Sequence, residues 1–192
     1  GALTKTPYPF TFEFTSHVKT AANLPQLQAL LTSHAALGHC LLKGSIKKPL
    51  VKESRAGSTD TSAATDLVVL DLDGLPETID IGGVSSTTTI DLFLAALGLA
   101  DVSYIVQWSA SMGIANQKLR AHVFMMLATP MAAPLLKQWL IHLNHATPLL
   151  RGAMTLTKTG NSICWPLDVS ACQNDKLIYI APPVLKGIKD PL

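Results

Sequence analysis

Two aspartates one residue apart, Asp71 and Asp73, close the apolar run LVVLDLDG at residues 67–74. On an extended strand, residues two apart share a face, which puts the two carboxylates roughly 6 to 7 Å apart along the backbone and lets them converge on one point. Two anions held together in a poorly solvated place repel, and call for a raised pKa, a basic partner or a divalent cation. Mg²⁺ or Mn²⁺ suits such a pair, because these hard ions take oxygen ligands and keep waters and substrate phosphates in their shells. A plainer role is also open to the pair, with Asp73 starting a turn at Gly74 and Asp71 ending a strand in solvent.

A second group lies in LRAHVFMML from Leu119, where alternation puts Arg120, His122 and Phe124 on one face and Ala121, Val123 and Met125 on the other. An arginine fork beside an imidazole suits the several acceptor oxygens of a triphosphate. A histidine in an apolar strand can equally be a satisfied core residue. WSASMG just upstream adds Ser109 and Ser111 on one face beside Gly113, where backbone can approach a ligand. Asp168, emerging from the apolar stretch CWPLDV, would complete a trio of acids, or cap a turn. His17, His34, His39, His142 and His145 show no metal-ligand spacing and are expected to be structural or exposed.

The elements that must hold these groups can be read from periodicity. FTFEF near the start alternates like a strand, LPQLQALLTSHAALG from Leu24 has leucines at helical spacing with Gly38 as its stop, and CLLKG follows as a strand. Residues 47–65 are polar and small, a long loop expected to be poorly ordered without ligand. LVVLDLDG is a buried strand, and STTTIDLFLAALGLA from Ser86 is a helix with hydroxyl caps that closes near Gly98. VSYIVQWSAS and LRAHVFMMLAT, the latter ending at Pro130, are neighbouring strands joined by the loop MGIANQK. MAAPLLKQWLIHLNHA is a helix with Pro134 in its first turn. NSICWPLDV and KLIYIAPPV are further strand candidates, and KGIKDPL halts regular structure.

With 192 residues, 48% hydrophobic and 15% charged, the chain can bury a sizeable core and lies far from disordered compositions. No apolar run is long enough to span a bilayer, and the start lacks a signal-peptide pattern, so a cytoplasmic protein without membrane contact is the expectation. Cys40, Cys164 and Cys172 are odd in number and lack CxxC spacing; they read as reduced core residues. A formal net charge of +2 neither announces nor excludes nucleic-acid binding.

Taken in order, VVLDLDG, WSASMG leading to LRAHVFMML, and LDVSACQNDKLIYIAPP resemble the signature of the archaeo-eukaryotic primase superfamily, the primase-polymerases, in its phage, plasmid and mobile-element branch. The resemblance covers about residues 67 to 183, and ESRAGST before the first acid and YIAPP after the last are similar to flanking segments in that branch. Arg120 stands where the commoner middle motif has serine, which leaves the hydroxyl's role open, with Ser109 and Ser111 as candidates. The resemblance implies that Asp71, Asp73 and Asp168 hold two Mg²⁺ or Mn²⁺ ions and that His122 binds the phosphates of a nucleoside triphosphate. Arg120, Arg55 and Ser58 would add charge or donors to that triphosphate. A single-stranded DNA template would need basic or aromatic side chains, for which Lys47, Lys48, Lys52 and Trp108 are available. A helicase domain or subunit is an implied partner.

The expected fold is α/β (α+β), one catalytic domain over 1–192 with an N-terminal part over 1–66 and core motifs over 67–183. Its central mixed or antiparallel sheet would have an RNA-recognition-like βαββ half, outer helices, and the acids on an open face. Two rivals stand beside primer synthesis. VVLDLDG also resembles the nucleophile motif of haloacid-dehalogenase-like phosphatases, with Asp71 attacking phosphate, although Leu75 departs from that motif and no later acidic segment completes it. The other is a non-catalytic replication-initiator or DNA-binding module.

Overall fold

A computed structural model of the chain describes residues 11–75, 87–112 and 118–187. In chain order the elements are α1 (Leu24–Ala36), β1 (Cys40–Leu42), β2 (Thr65–Leu75), α2 (Thr87–Ala96), β3 (Ile105–Trp108), β4 (Leu119–Met131), α3 (Ala133–Ala146), α4 (Pro148–Ala153), β5 (Thr155–Leu156), β6 (Ile163–Cys164) and β7 (Leu177–Tyr179). A short 3₁₀ turn, Val169–Cys172, separates the last two strands. Among the described residues no helix is long and apolar enough to cross a membrane.

The central sheet has the order β2-β4-β3, both pairings antiparallel. Leu72 also forms an antiparallel bridge to Leu167, which adds residues 166–168 as a fragmentary fourth strand on the free edge of β2. The chain thus runs strand, helix, strand, strand, helix, edge fragment, with β2 and β3 parallel to each other on either side of β4. The architecture is mixed α/β with antiparallel sheets and flanking helices.

Alternation gives this sheet two different faces. Leu70 and Leu72 of β2 and Ala121 and Val123 of β4 bury against Ile90 and Phe93 of α2 and Leu136 and Leu140 of α3. The opposite face carries Val69 and Phe124, covered by Leu27 and Leu31 of α1 and by Ile178 and Ile180 at β7. Beyond Val69 and Phe124, that second face turns polar, with Asp71, Asp73, Arg120, His122 and Gln107. α1 starts at an Asn23 side-chain cap and ends before Gly38, whose φ of +73° suits glycine. Pro134 sits in the first turn of α3, where its missing N–H costs nothing.

Several expectations are corrected. FTFEF is not a strand over 11–14; Phe14 makes one isolated bridge to Glu53. β4 runs through Pro130 to Met131, which is possible because that end is exposed and irregularly paired. The polar loop after Lys47 lacks helix and strand, yet it is tied down: Ile46 bridges Thr59, Lys47 N donates to Ser58 O, and Asn174 Nδ2 donates to the carbonyls of Asp60 and Ala63. Cys172 is buried as expected, but Cys40 and Cys164 are exposed, because each lies on a very short strand. The Ser86 cap and most of MGIANQK, Gly113 included, lie outside the described residues.

Candidate active site

The polar half of the second face is assembled by register. In β2 and β4, Asp71 pairs with His122 and Asp73 with Arg120, and in β3 Gln107 pairs with His122 on the other side. Partners in an antiparallel pair project to the same side, so these five side chains form a patch with no choice of rotamer needed. β2 does not end at Asp73: it continues to Leu75 through an irregularity at Gly74, whose φ is +89°. A Cβ there would meet Arg120 Nη2 at an ordinary 3.4 Å, so backbone conformation rather than space favours glycine.

Asp168 joins the patch from the far edge of β2. Its N–H donates to Asp71 O at 2.9 Å, and Asp73 N–H donates to Pro166 O at 3.0 Å, so the fragment 166–168 is stitched beside the two acids. Asp168 is not mid-strand. It caps the 3₁₀ turn, taking the Ser170 N–H on Oδ1 and the Ser170 hydroxyl on Oδ2, both at 2.8 Å. The fragment is fixed from behind by Asn144 of α3, fully buried, which brackets Leu167 by donating to its carbonyl at 2.9 Å and accepting its N–H at 3.2 Å.

The acids differ in partner and in proton affinity. Asp73 is held by Arg120 through a short Nη1 to Oδ1 ion pair. Asp168 Oδ2 also receives Lys176 Nζ at 3.0 Å. Burial raises the Asp168 carboxyl, but the Ser170 donors and Lys176 outweigh it and leave it below the usual carboxylate range. At Asp71, burial first and then the Asp168 charge outweigh the opposing pull of Lys176 and push its carboxyl up to about 6. His122 lies with Nε2 3.5 Å from Asp71 Oδ1. Burial and then Lys176 lower its imidazole to about 4, so at neutral pH a carboxylate faces a neutral ring and the two are not an ion pair. His122 Nδ1, Gln107 Oε1 and Arg120 Nε are buried without hydrogen-bond partners.

This donor set fits a hard divalent cation. Three carboxylates crowd one patch, the least supported of them is strained towards its protonated form, and buried polar atoms beside them lack partners. With the side chains arranged as they are, no group of three His, Cys, Asp or Glu among the described residues closes around a single metal position. Arg120 and Lys176 take up two of the carboxylates instead.

The other candidates are distributed around this patch. Ser109 N–H donates to Arg120 O, and its hydroxyl lies 3.2 Å from that of Ser111, so both serines adjoin Arg120 at the end of β3. Arg55 is held away from the acids, donating to Asp175 O at 2.8 Å and lying 5.6 Å over the Phe14 ring. Ser58 is buried, and its hydroxyl donates to Arg55 O, which makes it part of the loop's own framework. Trp108 belongs to the opposite, apolar face, packed on the helix-covered core, which removes it from any groove over the acids. Lys48 is paired with Glu53, and Lys47 donates to Gly57 O. A cleft of about 930 Å³ is lined by Phe14, Arg55, Gly57, Ala110, Tyr179 and Pro182 among others, and by none of Asp71, Asp73 and Asp168.

Sequence reasoning missed Lys176, Ser170, Asn144 and Gln107. For Lys176 a signal existed: it heads the alternating row Lys176, Ile178, Ile180, whose isoleucines pack on the face that carries Asp71. The histidines expected to be structural or exposed are partly clustered. His34 Nδ1 and His39 Nδ1 are 2.8 Å apart, and His17 stacks on His39 with centroids 5.0 Å apart. Comparison with family models, curated proteins and solved structures finds no match to this chain.

Proposed function

We propose that this chain is a primase-polymerase that builds short primers on single-stranded DNA by nucleotidyl transfer, in the replication of a phage, plasmid or integrated element. The observation that carries the reading is the meeting of Asp168 with Asp71 and Asp73 across 95 residues of chain, with His122 in register beside them. The strand order, with β4 between β2 and β3 and the 166–168 fragment outside β2, is the order that an RNA-recognition-like βαββαβ unit would have, which supports the same reading. Asp71, Asp73 and Asp168 would hold two Mg²⁺ or Mn²⁺ ions, which supply charge neutralisation for in-line attack of a hydroxyl on the α-phosphate.

The chain's own residues then have distinct tasks. A neutral His122 donates one ring N–H to a phosphate oxygen. Arg120, poised between Asp73 and the serines, offers further guanidinium donors, and Ser109 and Ser111 stand ready at the same end. The apolar floor beneath β2 and β4 keeps water from one side of the patch and strengthens every charge interaction above it. Rigid strands rather than loops carry Asp71, Asp73, Arg120 and His122, which favours fixed geometry.

The test is incorporation of labelled nucleotides on single-stranded DNA with Mg²⁺ or Mn²⁺. Wild-type protein should give lengthening products. Asp71→Asn and His122→Ala should each lose activity by about 100-fold or more, the scale on which charge-stabilising groups act. Phosphate release from monoesters that survives His122→Ala would instead support the phosphatase. DNA binding without metal-dependent incorporation would support the initiator module.

A further inference from the structure

Lys176 makes a contact beyond the one that caps Asp168. Asp168 is already capped by Ser170, through the N–H on Oδ1 and the hydroxyl on Oδ2. Lys176 Nζ adds a second donor to Oδ2 at 3.0 Å and another hydrogen bond to Ser170 Oγ at 2.7 Å. Its side chain is one-third exposed, so the ammonium can leave for solvent without opening the core. Its backbone is held firmly, between Asp175, whose carbonyl binds Arg55, and Leu177, the first residue of β7. A partly exposed cation on a fixed stalk therefore rests on the third acid of a crowded acidic patch.

Resting on the functional reading above, we propose that the Lys176 ammonium is the resident counter-ion of the patch, which a divalent cation must displace from Asp168 in order to bind. Lys176 lowers the metal affinity of the free protein and guards the acids against mutual repulsion while no metal is bound. A positive charge within about 4 Å of a ligating carboxylate opposes a second cation at that carboxylate by direct repulsion and by competition for the same oxygen. The ammonium, once displaced, stays tethered at the rim of the site.

The test is Mn²⁺ titration of the full chain without nucleotide, followed by calorimetry and by the loss of the free-ion paramagnetic resonance signal. Wild type should bind Mn²⁺ in a manner abolished by Asp71→Asn. Lys176→Gln should bind about 10-fold more tightly, and Lys176→Arg, which keeps the charge, should stay within a few-fold of wild type. Thermal melts establish that each variant is folded, and Lys176→Met serves in place of Lys176→Gln if the latter is not. Binding that depends on Asp71 but is equal or weaker without the Lys176 charge overturns the counter-ion role and leaves the metal site standing. Absence of Asp71-dependent binding in every variant overturns both.

Discussion

Asp71 and His122 are neighbours whose ionisation is disturbed in opposite directions, and this has a measurable consequence in metal-free protein. The Asp71 carboxyl, raised from 3.8 to about 6, contributes stability that is fully present below its unfolded value and lost as pH rises through about 6. The His122 imidazole, lowered from 6.5 to about 4, contributes stability that is present above 6.5 and lost as pH falls through about 4. Between pH 4 and 6 the two slopes oppose, each integrating to about 3 kcal/mol, and largely cancel. In EDTA, Asp71→Asn should therefore unfold progressively more easily than wild type as pH falls from 6.5 to 4.5. His122→Gln should become relatively more resistant over the same range. Urea midpoints at the two pH values read this directly, and midpoint differences from wild type that do not change with pH would refute it. Lys176 enters both shifts, so the charge that rests on Asp168 tunes its neighbours as well.

At the level of elements, the weakest support is the edge fragment that presents Asp168. β2 and β4 are long and paired over most of their length, whereas residues 166–168 have one bridge and two main-chain bonds. Asn144 compensates from α3, and Asn144→Ala would leave the Leu167 N–H and carbonyl without partners in a dry interior. That should cost about 3 kcal/mol by chemical denaturation and speed hydrogen exchange at the Asp168 amide more than at β4 amides. Sequence made β2, β4, α1 and α3 legible because each carries its own period, and the shared face of Arg120, His122 and Phe124 followed from alternation alone. It also proposed Asp168 as the third acid, but not how it is held. Asn144 reaches Leu167 across 23 residues through a pair of side-chain hydrogen bonds, and no local pattern encodes such a contact. Trp108 shows the converse: its residue type alone makes it available to a template groove, while its register against Ala121 sends it to the core.

Across the molecule, the polar loop and the patch are joined through one turn. Asn174 holds Asp60 and Ala63, the carbonyl of Asp175 holds Arg55, and Lys176 holds Asp168, so three consecutive residues link the loop to the third acid. Gly44 lies so close to that turn that an added Cβ would meet Asn174 Cβ at 2.5 Å. Asn174→Ala and Gly44→Ala should each lower the melting temperature by about 4 °C or more and raise the rate of tryptic cleavage at Lys52 and Arg55. Unchanged cleavage would mean the loop is held by other contacts. The two-sidedness of β2 has a different kind of consequence, one for inheritance. Exchanging one side chain there alters either chemistry or packing, and leaves the other largely intact. Deleting a single codon upstream within the strand would rotate every later side chain through the sheet, driving two carboxylates into the apolar layer and turning Leu70 and Leu72 out onto the other face. Lineages of this gene should therefore accumulate replacements along residues 67–73 while admitting no change in the length of that segment.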